Sequence, residues 1–393
     1  MLDLVVYGAS GFTGRLVARY LAISAPEGLK WALGGRNEAK LAEVRAELCT
    51  LNPSLKELPL VVGEGSTIDL IAKSARAVIS TAGPFSLYGE PLLAACVERG
   101  THYADITGET AWVERMAARY ESRAKETGSL VIPMCGLDSI PSDLGAFFAV
   151  ETARKVCGWG VPVRSVTTYV AMKGSVSGGT IASGKAIASD PELASRSRDP
   201  FLLVPQGRGL PSANQLVSPE PDTIWPTWVP ALRAYASHGV MAALNTRVVR
   251  RSAGLFATHK GLAGAAAAKG GPGVLCLPTA QETGPKATGG GGGTASTSPY
   301  AYSSAATPFA YSEFSVHRSW WSAFTTKLGG VLIGALLFKP YFFPLVAGSL
   351  PKPGEGPSDE AISKGWFHYF ILAETEETPT RTVAVKVSGG DPG

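Results

Sequence analysis

The sequence is poor in charged residues. Only 17% of its 393 residues are Asp, Glu, Lys or Arg, against about 25% in an average soluble protein. The 36 basic and 32 acidic side chains give a net charge of +4, without a run of five or six like charges. Because a nucleic-acid-binding protein normally carries a clustered basic stripe, nucleic acid is not expected as a partner.

Cysteine and histidine are also scarce. The five cysteines form no CxxC pair and the five histidines no metal-ligand pattern, so neither a disulfide framework nor a zinc or iron site is predicted. No basic segment precedes the apolar N-terminal pattern and no small-residue cleavage site follows it, so no secretory signal is expected. These features predict an intracellular, cytoplasmic protein without a bound metal.

The order of the apolar segments predicts two domains. Residues 1–145 alternate short strand-like segments with stretches long enough for crossover helices, which is typical of a parallel sheet covered by helices. The predicted strands are 2–7, 30–34, 58–62, 77–81, 101–105 and 130–134. In residues 146–393 the strand candidates 163–172, 366–373 and 381–387 predict a mixed sheet. The predicted fold is therefore α/β, a Rossmann-type doubly wound parallel sheet with a second α+β domain.

Glycine is in clear excess, at 46 of 393 residues, about 12% against an average near 7%. Part of the excess lies in 261–299, a segment of Gly, Ala, Ser, Thr and Pro that is predicted to be a disordered insertion. Several other glycines follow predicted strands at the carboxyl edge of the sheet. Ligands of open α/β sheets bind at that edge.

The first of these glycine turns is a candidate dinucleotide site. Its three glycines form G-x-x-G-x-x-G between a predicted strand and a predicted helix. Without Cβ atoms, the backbone can approach a pyrophosphate at the helix N-terminus. The alternative is a purely structural turn. The residues predicted to contact the cofactor are Gly8, Ser10, Gly11, Phe12, Thr13 and Gly14.

The end of the second strand favours NADP(H) over NAD(H). An NAD site usually has a carboxylate there, whereas an NADP site has an arginine for the 2′-phosphate. Here the strand ends in Gly-Gly-Arg36-Asn37 without an acid, so Arg36 and Asn37 are predicted to bind NADP(H). The alternative for Arg36 is an ordinary exposed arginine. The turn after the fourth strand is predicted to hold the nicotinamide half through Thr81, Ala82, Gly83 and Pro84.

Three residues near the same edge are candidates for a proton donor, which hydride chemistry often needs beside the nicotinamide. They are Tyr88, Tyr103 and Asp138. The alternative for Asp138, as for Ser139 and Ser142, is capping of a helix N-terminus, and Asp105 could cap the helix that begins near Glu109.

Together these motifs resemble the saccharopine dehydrogenase-like oxidoreductases, a group that includes the trans-acting enoyl reductases of bacterial lipid synthesis. The similar segments are 6–14, 34–37, 83–91, 95–109, 136–145 and, more thinly, 173–183. The resemblance implies an NADPH-dependent reductase that acts on a lipid or acyl substrate in lipid or glycolipid metabolism. Saccharopine itself is not expected as the substrate, because no arginine cluster for a multiply charged amino acid is evident.

Two features depart from the family pattern. The glycine-rich insertion at 261–299 is not a family feature. Family members also continue beyond the strand at 381–387 with a Gly-Tyr segment and a final helix, whereas this sequence ends at Gly393.

Residues 320–346 form an apolar segment with aromatic residues at both ends. Its uncharged part, 328–338, is 11 residues long, well short of the roughly 20 that a spanning helix requires. A peripheral contact with a membrane or lipid-droplet surface is one interpretation, and a buried or dimer-interface helix is the other. The rival function is a catalytically weak or inactive Rossmann protein that serves as a membrane-associated scaffold.

Overall fold

The computed structural model describes most of the chain. The described residues are 1–158, 161–174, 177–205, 217–218, 225–239, 241–258, 302–304, 307–338, 351–352 and 354–390. The predicted insertion at 261–299 and the last part of the apolar segment, 339–346, lie outside them.

The first domain is a six-stranded parallel sheet in the order β3-β2-β1-β4-β5-β6. Its strands are β1 (Leu2–Tyr7), β2 (Trp31–Gly35), β3 (Leu60–Val62), β4 (Ala75–Ser80), β5 (His102–Asp105) and β6 (Val131–Ile132). Its helices are α1 (Phe12–Ser24), α2 (Glu38–Leu51), α3 (Asp69–Ser74), α4 (Phe85–Tyr88), α5 (Glu90–Arg99) and α6 (Thr110–Thr127). This strand order is that of the Rossmann fold, so the predicted sheet is confirmed.

Two apolar layers enclose this sheet. Successive side chains of a strand point to opposite faces, so Val5 joins the layer of Trp112 while Val6 joins the layer of Leu41. Complete burial of a Val or Leu side chain stabilises a fold by roughly 1.5–3 kcal/mol. The strand ends that carry the predicted ligand turns are thus anchored from both faces.

The second domain contains a mixed sheet in the order β13-β12-β7-β11-β10-β9, with β8 beside β11. Its strands are β7 (Val163–Lys173), β8 (Val217–Ser218), β9 (Thr227–Val229), β10 (Ala234–His238), β11 (Phe309–His317), β12 (Trp366–Thr375) and β13 (Thr382–Gly389). Its helices are α7 (Ile140–Cys157), α8 (Gly178–Ser189), α9 (Pro191–Arg196), α10 (Ala242–Thr258), α11 (Trp320–Phe338) and α12 (Asp359–Ser363). The predicted mixed sheet is confirmed. The ends of its three predicted strands, β7, β12 and β13, differ by one or two residues from the prediction, and strands β8 to β11 were not predicted.

Helix α7 connects the two domains. It begins after the turn that follows β6, and its body packs on the second sheet so closely that a Cβ atom at Gly145 would lie 2.4 Å from Ile371 Cδ1. The domain boundary predicted at residue 145 therefore falls inside this helix. Among the described helices, none has the length and hydrophobicity needed to cross a membrane.

Candidate cofactor and substrate site

Two close backbone approaches shape the glycine turn between β1 and α1. Gly8 has a φ of +85° and a Cβ atom there would lie 2.8 Å from Thr81 Oγ1. At Gly14 a Cβ atom would lie 2.2 Å from the carbonyl oxygen of Gly8. These positions require glycine, and they bring the N-terminus of α1 against the ends of β1 and β4.

The N-terminus of α1 is suited to an anion. Its N-cap residue, Gly11, has no side chain to cap the helix, and the first turn contains no acidic residue. The N–H of Gly11 donates to the carbonyl of Gly8 at 2.9 Å, which closes the turn. Unoccupied N–H groups and the helix dipole both favour a pyrophosphate at this position. The backbone therefore fits the dinucleotide predicted for residues 8–14.

The turn after β4 lies between the glycine turn and the second domain. The N–H and the hydroxyl of Thr81 both donate to the carbonyl of Tyr7, at 2.9 and 3.0 Å. A Cβ atom at Gly83 would lie 3.6 Å from Ser183 Oγ on α8. The segment predicted to hold the nicotinamide is thus tied to β1 on one side and covered by α8 on the other.

Arg36 stands at the tip of β2. Its side chain is 72% exposed and contacts the carboxylate of Glu64 at 3.3 Å. Asn37 accepts the N–H of Lys40 at 3.0 Å and so caps α2. An exposed guanidinium at this position suits a 2′-phosphate, because Arg binds phosphate oxygens in bidentate geometry. Asn37 has a structural role beside its predicted cofactor role.

Asp105 fixes the end of β6 and does not cap α6. Its Oδ1 accepts the N–H groups of Thr107 and Met134, both at 3.0 Å. Helix α6 instead has Glu109 at its N-cap position, so the capping alternative for Asp105 is wrong. Burial raises the pKa of Asp105 to about 6, although both N–H donors lower it.

Glu109 joins the β5 loop to the nicotinamide turn. Its carboxylate is 1% exposed and accepts the N–H groups of Phe85 and Ser86, at 2.7 and 2.9 Å. These two residues directly follow Pro84. The carboxylate therefore holds the start of α4 and the predicted nicotinamide turn in place.

The three candidate proton donors lie in different environments. Tyr88 is 64% exposed on α4, whereas Tyr103 is 1% exposed in the core of the first domain. Burial, followed by the charge of Asp105, raises the pKa of Tyr103 well above its usual value. Asp138 lies in the turn before α7, and burial raises its pKa. The N-cap position of α7 is occupied by Ser139 without a side-chain hydrogen bond, so capping by Asp138 is not observed.

A buried polar cluster that the sequence did not reveal joins α7, α10 and β11. Glu313 is 3% exposed and accepts hydrogen bonds from Ser142 Oγ at 2.6 Å, Asn245 Nδ2 at 2.8 Å and Tyr311 Oη at 3.0 Å. Burial raises the pKa of Glu313, and the three donors oppose this. Ser142 thus bonds across the domain core and does not cap α7. The only sequence signal is a glutamate at an inward position of an alternating strand.

The raised pKa values of two buried aspartates predict how the stability of the protein depends on pH. Burial raises the pKa values of Asp105 and Asp143 to about 6, from a usual value of 3.8. The folded state therefore binds these protons more tightly than the unfolded state, so their stabilising effect is complete below pH 4 and lost as the pH rises through 6. We expect each group to lower the free energy of unfolding by roughly 2 kcal/mol between pH 4 and 7.

Urea unfolding of the wild type and of Asp143→Asn across this range measures the effect. The carboxyl of Asp143 accepts the hydroxyl of Ser252 at 3.0 Å, a bond that the amide oxygen of asparagine can keep. The difference in unfolding free energy between the two proteins should change with pH in the stated direction. A difference that is constant from pH 4 to 7 contradicts the assignment for Asp143.

The fold and the site define an oxidoreductase that binds a dinucleotide. Residues 4–132 match the model of the saccharopine dehydrogenase NADP binding domain. A Mycobacterium tuberculosis protein provisionally named trans-acting enoyl reductase is 31% identical over 411 aligned positions, which cover 100% of this chain and 84% of that protein. The chain belongs to the saccharopine dehydrogenase-like oxidoreductases related to trans-acting enoyl reductases, and its cofactor is NADP(H).

Two further proteins are similar over different extents. The trans-acting enoyl reductase of Mycobacterium leprae is 34% identical over 268 positions, which cover 64% of this chain and 60% of that protein. The apo structure of saccharopine dehydrogenase (L-Glu forming) from Saccharomyces cerevisiae is 11% identical, covers 100% of this chain and 87% of that chain, and has a TM-score of 0.45. The family, cofactor and enzyme class predicted from the sequence are confirmed by the family model and the M. tuberculosis relative.

Proposed function

We propose that this protein is an NADPH-dependent reductase of an acyl or lipid substrate, and that the bond reduced is the carbon–carbon double bond of an enoyl group. The observation that carries the proposal is the glycine turn with the exposed Arg36 at the tip of β2. The names of the similar mycobacterial proteins support an enoyl substrate. The low charge of the sequence, at 17%, supports an apolar one.

Residues of both domains take part in the proposed reduction. Bound NADPH supplies the hydride. The first turn of α1 binds the pyrophosphate, Arg36 binds the 2′-phosphate, and the turn ending at Pro84 orients the nicotinamide. Helix α8 covers that turn from the second domain and so limits the access of water to the reacting carbon.

Reversal of the charge at Arg36 tests the cofactor site. Arg36→Glu should weaken NADPH binding by about 10- to 100-fold, because a charge-assisted bond to the 2′-phosphate is replaced by repulsion. NADH binding should change much less. An equilibrium titration of nicotinamide fluorescence measures both dissociation constants.

Arg76→Glu is the matched control for this experiment. Arg76 is 71% exposed and contacts Asp3 at 3.6 Å, so the two arginines share their exposure and an acidic neighbour. Arg76 is near the start of β4, away from the carboxyl edge of the sheet. Equal losses of NADPH affinity in both variants, or a wild-type preference for NADH, would contradict the assignment of Arg36.

The proposed reductase acts at a membrane or lipid-droplet surface, and helix α11 supports this placement. Trp321, Leu328 and Leu332 are 70%, 49% and 56% exposed. Their spacing places them on one face of the helix. Nearby, Trp225 stacks on Phe324 with ring centroids 6.2 Å apart and is itself 63% exposed. An apolar helix face with tryptophans at one end is typical of peripheral membrane contacts.

Vesicle flotation of the full chain tests this surface. We expect the triple variant Trp321→Ser/Leu328→Ser/Leu332→Ser to bind vesicles of phosphatidylcholine and phosphatidylglycerol at least about tenfold more weakly, since the apolar area that would leave water is removed. The control removes exposed apolar side chains of α1 instead, as Tyr20→Ser/Ile23→Ser, which are 67% and 71% exposed. Equal binding by both variants would contradict the role of α11.

A further inference from the structure

A short segment of the second domain reaches the glycine turn of the first domain. This segment, residues 354–359, which we call the strap, leads into α12 and β12. Its Gly356 packs closely on the ring of Phe12: a Cβ atom at Gly356 would lie 2.5 Å from Phe12 Cε2 and closer still to two other ring carbons. Three residues later, Asp359 contacts Arg19 of α1 at 3.3 Å. The strap therefore runs along α1, starting at the first residue of that helix.

The ring of Phe12 places the strap beside the predicted pyrophosphate site. Phe12 is the first residue of α1. Side chains of a helix point toward its N-terminus, so the ring covers the turn that precedes its own Cα atom. That turn is the glycine turn, where the free N–H groups of the first turn of α1 are expected to bind the pyrophosphate. A segment packed on this ring stands at the end of the helix that the anion must approach.

The strap is anchored to the start of α8. The N–H of Gly178 donates to the carbonyl of Glu355 at 3.0 Å. A Cβ atom at Gly178 would lie 2.5 Å from the carbonyl carbon of Lys352, so α8 and this part of the chain touch without a gap. Helix α8 itself covers the predicted nicotinamide turn. Strap and helix thus form one cover from the second domain, with the strap at the pyrophosphate end and α8 at the nicotinamide end.

The attachment of the strap to the first domain is weaker. Within the described ranges, the backbone hydrogen bonds of the strap go to residues of the second domain. Its contacts with α1 are the packing of Gly356 on the Phe12 ring and the ion pair of Asp359 with Arg19. The side chains of that pair are 77% and 44% exposed, and exposed ion pairs contribute little stability. The strap can therefore lift from α1 without breaking a backbone hydrogen bond.

We propose that the strap is a gate for NADP(H): the contact of Gly356 with Phe12 closes the pyrophosphate site, and the cofactor enters and leaves when the strap lifts from α1. The proposal goes beyond the proposed reduction, because it depends on NADP(H) binding at the glycine turn and not on the substrate. A gate slows both association and dissociation, since exchange takes place in the open fraction of the molecules. A contact that merely holds bound cofactor slows dissociation alone.

The first test removes the contact from each side in turn. Stopped-flow measurement of nicotinamide fluorescence gives the rate constants of NADPH association and dissociation. We expect Gly356→Ala to raise both by about tenfold, because the added Cβ atom cannot fit against the ring. The double variant Gly356→Ala/Phe12→Ala should exchange NADPH no faster than Phe12→Ala, since both changes remove the same contact. Two independent effects would multiply instead, and this outcome overturns the proposal.

Gly390→Ala is the matched control. It makes the same chemical change just beyond the end of β13, where an added Cβ atom meets nothing within 4 Å among the described residues. Both rate constants should keep their wild-type values. An equal acceleration in Gly390→Ala and Gly356→Ala would show that the effect does not come from the strap.

The second test locks the strap in place. The double variant Arg19→Cys/Asp359→Cys is joined by a short bismaleimide, which ties the strap to α1 through two exposed positions. Locking should slow NADPH association by at least about tenfold, and locking after NADPH has bound should slow its release as much. Arg19→Cys treated with the same reagent is the control, because its native cysteines react equally but the strap stays free.

The outcomes separate the gate from the cofactor site. Exchange at the control rate in the locked protein, or unchanged association in Gly356→Ala, overturns the gate and leaves NADP(H) binding intact. Slower release without slower association in the locked protein also overturns it, because the strap would then only cover bound cofactor. If the wild type binds no NADPH, the cofactor site is overturned together with the gate.

Discussion

Replacement of Glu109 with alanine is expected to lower the free energy of unfolding by about 3–5 kcal/mol. The carboxylate is 1% exposed and accepts the N–H groups of Phe85 and Ser86. Alanine removes both acceptors and leaves a cavity, so two N–H groups lose their partner where little water can replace it. Urea unfolding monitored by circular dichroism measures the loss.

Two further variants make this experiment specific. Glu109→Gln keeps one oxygen acceptor and should fall between the wild type and Glu109→Ala. Glu114→Ala removes a carboxylate from the same helix that contacts Arg196 at 2.7 Å near the surface, and surface ion pairs contribute only about 0–1 kcal/mol. If Glu109→Ala loses no more stability than Glu114→Ala, the two backbone hydrogen bonds do not hold the loop as described.

Gly14→Ala is expected to weaken NADPH binding by about 100-fold or more and to destabilise the first domain by roughly 2–4 kcal/mol. The added Cβ atom would lie 2.2 Å from the carbonyl oxygen of Gly8 and 2.8 Å from Ala9 Cα. Backbone atoms cannot rotate away as side chains do, so α1 must move off β1. That movement displaces the N–H groups that are proposed to bind the pyrophosphate. Fluorescence titration and thermal unfolding measure the two effects.

Gly179→Ala is the matched control, because it makes the same chemical change in another helix. A Cβ atom at Gly179 meets only Ser177 Oγ, at 3.6 Å. Alanine is favoured over glycine inside helices by about 1 kcal/mol, so this variant should bind NADPH normally and lose no stability. Tight NADPH binding by Gly14→Ala would show that the cofactor does not depend on the close approach of α1 to β1.

The glycine turn between β1 and α1 was predictable because its signal is local. Gly8, Gly11 and Gly14 stand within seven consecutive residues, and their need for missing Cβ atoms can be read from a strand, a turn and a helix in sequence. The cofactor role of Arg36 was predicted in the same way, from its position at the end of one strand. The Rossmann strand order likewise follows from short crossovers that repeat along the chain.

The Glu313 cluster could not be predicted, because its partners are far apart in the sequence. Glu313 is separated from Asn245 by 68 residues and from Ser142 by 171. Strand β11 was missed for a related reason: a charged residue at an inward position interrupts the alternation begun by Phe309 and Tyr311. The donors of α7 and α10, brought in by the tertiary fold, add to the nearby hydroxyl of Tyr311 and make a buried carboxylate acceptable there.

The close packing of α7 on the second sheet also determines how the two domains can move. Because Gly145 leaves no space between the helix and Ile371, helix and sheet shift together as one rigid body. The turn at 135–139 joins this unit to the first domain, so a displacement of α7 relative to the first sheet would also move the Asp138 carboxyl group that the turn carries.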